Sequence, residues 1–441
     1  MLKRVLKYIG LSLGILILLL VALGVFLSLS PGEDWLRGMA EEQLSGALGQ
    51  PVTIGRLETN LLSHLQLEDV TLTNPNTPFG PQSARIGRLD VSYRVLPLIS
   101  GELALSSVII DTLTVSLARD SAGALYLPLA QADDTTDAPA AKPDTADGAG
   151  FTVRLDTAAI TPITIRYTDN SLPMMAHIRQ TSLSIGRHND RYVVDFDLDS
   201  AAAELGGIAL PAMRLKTQVG YAPDSVRVDT LHLQVAQMHL SGRGTVGLGA
   251  DTSIDASVAL YGQPDSILTP ALEYLGLPQV QTTGEVSISA QAGGTLSHPT
   301  ADADASVPAV SAGPVATGPS MLRLAYRADT VLIDTIHIPA FGGQVTGHGA
   351  IALDTVVATN AALSLDSLDI EDIWEALYED NSPFRGRFSG SLTLANDGMD
   401  VTDWRAEAAL RGRQLQFENV DMPNLDGGVS FDRGRVTVDI A

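Results

Sequence analysis

Apolar and polar residues alternate with a period of two over much of the chain. Ile254, Ala256, Val258 and Leu260 interleave with Asp255, Ser257 and Ala259. Val286, Ile288 and Ala290 interleave with serines, and Leu363 with Leu365 and Leu392 with Leu394 repeat the pattern. Such alternation predicts strands with one apolar and one polar face. Glycine pairs at Gly206-Gly207, Gly293-Gly294, Gly342-Gly343 and Gly427-Gly428 read as breaks between strands. Three stretches have a helical period instead. One covers about 33–48 and is ended by Gly49 and Pro51; two short ones cover 265–275 and 371–379.

The β pattern repeats at long range. Val226 opens V-R-V-D-T-L-H-L, Val331 opens V-L-I-D-T-I-H-I, and Val436 opens V-T-V-D. The spacings 331 − 226 and 436 − 331 are both 105 residues. A fixed period of this kind marks a repeat architecture. The match extends ungapped from Asp224 to Val246 on Asp329 to Ile351. Within each octet the apolar phase shifts after Asp-Thr, which predicts a bulge, because a one-residue slip sends side chains to the other face. The third start at Val436 predicts that the protein continues past Ala441.

The first residues predict a membrane anchor. Lys3, Arg4 and Lys7 precede an uncharged apolar run over 9–29. About 21 residues span a ~30 Å hydrocarbon core. Basic residues before the run, and Glu33 and Asp34 after it, place residues 31 onward outside the cytoplasm. The expected domains are an anchor over 1–30, a β module with a leading amphipathic helix over 31–130, a flexible acidic linker over 131–150, and a repeating β region over 151–441. The linker is expected because 130–150 holds almost no bulky apolar residue.

Composition narrows the function. The formal net charge is −23, with no basic stripe for phosphate contacts, so nucleic acid is an unsuitable partner. No cysteine is present, which removes disulfides, zinc-thiolate sites and thiol catalysis together. Gly242-Arg-Gly244-Thr-Val-Gly247 is formally G-x-G-x-x-G, but a strand pattern follows where a dinucleotide site needs a helix, so a glycine-rich turn or bulge is expected. His232 and His337 are repeat equivalents and read as structural, and His239 has no third metal ligand nearby. Asp366, Asp369, Glu371 and Asp372 precede a helix and read as capping residues. Asp302 and Asp304 form only a D-x-D. No nucleophile elbow or Walker loop occurs, so no enzyme activity, cofactor or metal is expected.

An ordered set of phrases carries a family resemblance. Leu48-Gly-Gln-Pro-Val-Thr-Ile-Gly-Arg-Leu-Glu-Thr-Asn is followed by Leu65-Gln-Leu-Glu-Asp-Val-Thr-Leu-Thr-Asn. Ile86-Gly-Arg-Leu-Asp-Val-Ser-Tyr, Leu98-Ile-Ser-Gly-Glu-Leu-Ala-Leu and Leu117-Ala-Arg-Asp-Ser-Ala-Gly come next, and Gly294-Thr-Leu-Ser-His-Pro-Thr lies further on. After an anchor and a helix, this order resembles the AsmA-like/TamB family of envelope proteins over roughly residues 1–130.

The resemblance implies a mainly β fold: an N-terminal transmembrane helix, then an elongated, groove-like antiparallel sheet with a few short helices. It implies a single-pass inner-membrane protein of a Gram-negative envelope, with its bulk in the periplasm. Such a protein would carry phospholipid between inner and outer membranes, and a C-terminal region beyond this sequence would engage an outer-membrane assembly protein. At about 12 residues per strand and ~4.8 Å between strands, residues 151–441 would build a groove of order 115 Å. Ile254, Val258, Leu260, Val286, Ile288, Leu363, Leu365, Leu392 and Leu394 are the expected lipid contacts, since all lie on cleanly alternating runs. The alternative is a membrane-anchored stalk of β-sandwich modules, or a scaffold that assists outer-membrane protein assembly without carrying lipid. The period is close to the size of an immunoglobulin-like domain.

Overall fold

The computed structural model describes residues 30–60, 63–74, 82–97, 102–128, 152–172, 174–188, 191–249, 252–275, 279–313, 315–353, 358–378, 381–396, 403–418, 420–432 and 434–440. The expected membrane-spanning run and the expected linker lie outside these residues. Among the described residues no helix is long and apolar enough to cross a membrane. The chain divides into two compact units, Met1–Lys216 and Thr217–Ala441.

The first unit opens with helix α1 (Ser30–Leu48), which has Pro31 in its first turn and Gly49 in the left-handed region just past its end. Leu36, Ala40, Leu44 and Leu48 repeat every fourth residue and pack on a core of Val52, Ile54, Leu57, Leu67 and Val70. Those residues come from β1 (Val52–Thr53), β2 (Arg56–Thr59), β3 (His64–Asn74) and the residues between them. The helix also satisfies the sheet edge it covers. Glu41 Oε1 accepts from the Ile54 N–H at 2.7 Å, and Ser45 Oγ accepts from the Val52 N–H at 2.9 Å.

The unit continues through β4 (Gln82–Arg94), β5 (Glu102–Arg119), β6 (Leu125–Tyr126), β7 (Thr152–Leu155), β8 (Thr157–Asp169), β9 (Met174–His188) and β10 (Arg191–Leu205). The unit boundary falls within β11 (Ile208–Ala222). β1 and β2 pair with β3, β3 with β4, and β4 with β5, all antiparallel. Here the structure departs from the expected all-antiparallel sheet: β5 pairs parallel with both β7 and β8. A parallel pair needs a crossover connection of a dozen or more residues. The stretch between β6 and β7 supplies that length. From β8 to β10 the pairing is antiparallel again. At the end of β8, Asp169 is buried. The Ser171 hydroxyl at 2.6 Å, the Tyr167 hydroxyl at 2.7 Å and two backbone N–H groups hold its carboxyl well below the usual range. This carboxylate fastens the β8–β9 turn.

The second unit holds β12 (Ser225–Val235), β13 (Met238–Gly247), β14 (Ile254–Gly262), α2 (Asp265–Leu275), β15 (Gln281–Thr283), β16 (Val286–Thr295) and β17 (His298–Val307). It continues with β18 (Ala309–Ala312), β19 (Val315–Thr317), β20 (Ser320–Arg327), β21 (Thr330–Ala340), β22 (Gly343–Ala352), β23 (Ala358–Asp369) and α3 (Ile370–Tyr378). It ends with β24 (Phe384–Asn396), β25 (Trp404–Phe417), β26 (Val420–Asp432) and β27 (Arg435–Ile440). Thirteen strands form one antiparallel ladder in the order β12-β13-β14-β16-β17-β20-β21-β22-β23-β24-β25-β26-β27. Twelve spacings of ~4.8 Å make this sheet about 58 Å across. β15, β18 and β19 stand apart as a small flap, joined to the ladder where Thr317 meets Ala340. Asp265 at the start of α2 ties the flap down, accepting from the Thr282 N–H at 2.9 Å and its hydroxyl at 2.6 Å.

The sequence repeat is a structural repeat. The β12–β13 ladder bulges between Val228 and Leu231, and the β21–β22 ladder between Ile333 and Ile336. These are the Asp-Thr phase shifts, 105 residues apart, and α2 and α3 begin at the same interval. α3 is N-capped by Asp369, whose Oδ1 accepts from the Glu371 N–H at 3.0 Å. Of the turn or bulge expected at the G-x-G-x-x-G segment, the structure has the bulge: Gly242 and Gly244 are mid-strand in β13 and pair on either side of the β12 bulge, as Gly347 and Gly349 in β22 do with β21. One glycine expectation is corrected. Gly427-Gly428 lies inside β26, paired with Leu410 and Ala409. Some mid-strand glycines make room for a close neighbour. A Cβ on Gly347 would come within 2.6 Å of the Ala362 carbonyl oxygen, and one on Gly390 would run into that of Ala409.

Candidate functional site

Residues directly opposite in an antiparallel ladder share a face. Following the register across the second unit therefore traces rows of side chains on one side of the sheet. One row runs Leu233, Leu240, Leu260, Ile288, Ala305, Leu322 and Ile336. It continues through Gly347, Leu363, Leu392, Ala408, Val429 and Val438. The adjacent row includes Val258, Ala290, Ala303, Leu324, Ile333, Ala361, Leu394, Ala406 and Phe431. Both rows cross all thirteen strands without a charged residue.

The register gathers all nine sequence-predicted residues on this face. Ile254, Leu260, Ile288, Leu363, Leu365, Leu392 and Leu394 are half-buried, Val286 is buried and Val258 is 41% exposed. Among the described residues of the whole chain no side chain is fully buried. Two sheets packed face to face would bury such rows in a shared core. Here the face is left partly uncovered, and large aliphatic side chains remain in reach of solvent.

The opposite face is polar and carries ion pairs. Arg323 Nε meets Asp304 at 2.7 Å, Arg327 pairs with Asp302, and Arg227 pairs with Asp229. Asp302 and Asp304 are thus partners for arginines. His232 and His337 occupy one repeated position on this face, opposite Ser241 and Thr346. His239 stacks on Tyr261 with ring centroids 5.1 Å apart. Among the described residues no three metal-ligating side chains come together.

One part of the apolar face is flanked by a helix. α3 packs against β24, and Ile370 and Ile373 line an open hollow together with Phe388, Leu410, Leu415 and the exposed Val429. An aromatic chain borders the helix. Trp374 lies 4.3 Å from Tyr378 and 5.4 Å from Phe384, and Phe384 lies 5.0 Å from Phe417, centroid to centroid. The sequence reading missed this hollow, and also Leu322, Leu324, Ile333 and Ile336. The hydrophobic period of α3 was its signal: Ile370, Ile373 and Trp374 share one side, with Glu371, Asp372 and Glu375 set apart from them.

The first unit supplies the family evidence. Its helix packs on a small sheet that holds the first of the phrases quoted above, those from Leu48 and Leu65, and residues 2–182 match the profile of the AsmA family. Over those residues the chain is similar to the AsmA family. No curated protein and no solved structure matches it. The matched part ends within β9, so the thirteen-strand ladder lies wholly beyond it.

Proposed function

We propose that this protein is anchored in the inner membrane and carries phospholipid between envelope membranes along the apolar face of its second unit. One observation carries the reading: two uninterrupted apolar rows cross thirteen strands on a face that is only half-covered. Such a surface leaves apolar area in water that a hydrocarbon chain would cover, at about 25 cal/mol for each Å² removed. Acyl chains would lie against the rows, with head groups in solvent. Movement needs no bond-making, because successive strands offer nearly equivalent aliphatic contacts. The basic N-terminal flank and the apolar run of 9–29 support the anchor.

The full chain, extracted in mild detergent and washed free of loosely held lipid, is expected to retain phospholipid detectable by mass spectrometry. A preparation that is folded by circular dichroism yet carries no lipid, and takes up none from vesicles, would reject the reading.

A further inference from the structure

Helix α1 packs one side on the sheet and leaves the other bare. Leu36, Ala40, Leu44 and Leu48 face the core, and Arg37 donates to the Gly55 carbonyl at 3.2 Å. At about 100° per residue, Trp35 and Met39 fall together on the opposite side, where they are 57% and 46% exposed. Gly38 and Gly46 share that side, and a Cβ on either would meet nothing within 4 Å. Among the described residues, therefore, nothing covers this strip. Trp374 and Trp404, by contrast, are half-buried.

The position of the strip in the chain indicates what covers it. The uncharged apolar run over 9–29 ends directly before α1 begins at Ser30. Trp35 stands five residues beyond Ser30, ~7.5 Å along the axis at ~1.5 Å per residue. Helical side chains lean toward the N-terminus, here back toward the run. The head-group layer on each side of a bilayer is about 5–7 Å deep. The indole of Trp35 thus comes level with that layer, where tryptophan is enriched because its ring is apolar and its N–H needs a polar partner.

The charges agree with a head-group layer rather than hydrocarbon. Asp34 pairs with Arg37 at 3.1 Å, and Glu41 accepts from the Ile54 N–H, so both are engaged on the protein. Glu42 is exposed on the outer side beside Met39. A carboxylate is costly in hydrocarbon but stays hydrated among head groups. With a net charge of −23 and no basic cluster on α1, a zwitterionic surface fits better than an anionic one.

We propose that the Trp35–Met39 side of α1 rests on the head-group layer of the bilayer that holds the anchor, and so fixes the first unit against the membrane; the proposal rests on the anchored reading. Tryptophan fluorescence of the full chain in phosphatidylcholine vesicles tests it. Trp374→Phe and Trp404→Phe leave Trp35 as the single reporter. Its emission is expected to lie to the blue of an exposed indole. Lipids brominated near the head-group end of the acyl chain should remove at least half of it, and lipids brominated near the methyl end clearly less. A second measurement keeps all three tryptophans. The chain has no cysteine, so Met39→Cys and Arg85→Cys each give a single thiol. Arg85 lies on β4 with an exposed side chain. A membrane-impermeant maleimide is expected to label Cys at position 39 at least tenfold more slowly than Cys at position 85. A chain that floats with the vesicles yet has an unquenched Trp35, or equal labelling of the two thiols, would overturn the membrane-resting face and leave the anchor standing. A blue-shifted but unquenched Trp35 would identify a protein as the cover and overturn the proposal. A chain that does not float with the vesicles would overturn the anchor and this face together.

Discussion

Val258→Glu and Leu260→Glu are expected to strip bound lipid from the protein while leaving it folded. Both residues lie on the apolar rows, opposite Ala290 and Ile288 on the neighbouring strand. Val258 is 41% exposed, so without lipid a carboxylate there stays hydrated. The cost to folding should then be that of an ordinary surface substitution, within about 0.5 kcal/mol. Leu260 is half-buried and should cost somewhat more. An acyl chain pressed on the same spot would desolvate the charge, at roughly 2–7 kcal/mol for an unpaired polar group. Even the low end corresponds to more than a tenfold loss, at about 1.4 kcal/mol per factor of ten. Lipid recovered with the protein should fall by at least that factor, with the melting temperature nearly unchanged. If both variants unfold instead, the face is a covered core, and the sandwich stalk becomes the better account.

Gly347→Ala is expected to destabilise the second unit, whereas Gly242→Ala should not. The two glycines occupy the same position in successive repeats, opposite Leu363 and Val258. Their surroundings differ. A Cβ on Gly242 would sit 3.3 Å from the Ser257 carbonyl oxygen and 3.5 Å from a Val258 methyl, contacts that small shifts relieve. A Cβ on Gly347 would sit 2.6 Å from the Ala362 carbonyl oxygen and 2.5 Å from Leu363 Cδ2. Leu363 can rotate away, but the carbonyl belongs to the ladder and cannot. Overpacking of this kind typically costs about 1–3 kcal/mol. Where the added methyl fits, Gly→Ala instead gains about 0.4–1 kcal/mol by restricting the unfolded chain. Thermal melts should therefore move in opposite directions, by about 2–4 °C per kcal/mol for a unit of this size. Equal melting temperatures would show that the second repeat is no more crowded than the first.

Much of the fold was legible because it is written locally. The Asp-Thr phase shifts marked the bulges at Val228/Leu231 and Ile333/Ile336, since an inserted residue breaks a period of two where it occurs. α2 was bounded by its own helical period, and α3 differed by one residue at each end. Partner choice is not local, and there the reading ran out. Nothing in β5 says that it will pair parallel with β8, and nothing in β17 says that it will pass over β18 and β19 to meet β20. The need for glycine at Gly347 could not be read locally, because the close carbonyl that excludes a Cβ there belongs to a neighbouring strand.

The candidate site divides the same way. All nine predicted residues share one face because each lies on an unbroken alternation, where face follows from parity alone. Ile333 and Ile336 were missed because the bulge between them puts residues of opposite parity on one face. Leu410 and Val429 were missed because a helix from elsewhere in the chain turns part of an open row into a hollow.

One face of the second unit is expected to touch lipid and the other is not. The most direct measurement places a photoreactive amino acid at single positions of the full chain in its native membrane and asks which positions cross-link to phospholipid. Ile254, Val258, Leu260, Ile288, Leu392 and Leu394 are expected to give lipid adducts, while their neighbours Asp255, Ser257, Ser289 and Ser391 give none. Adducts on both faces alike, or on neither, would show that the apolar rows are not a lipid-bearing face.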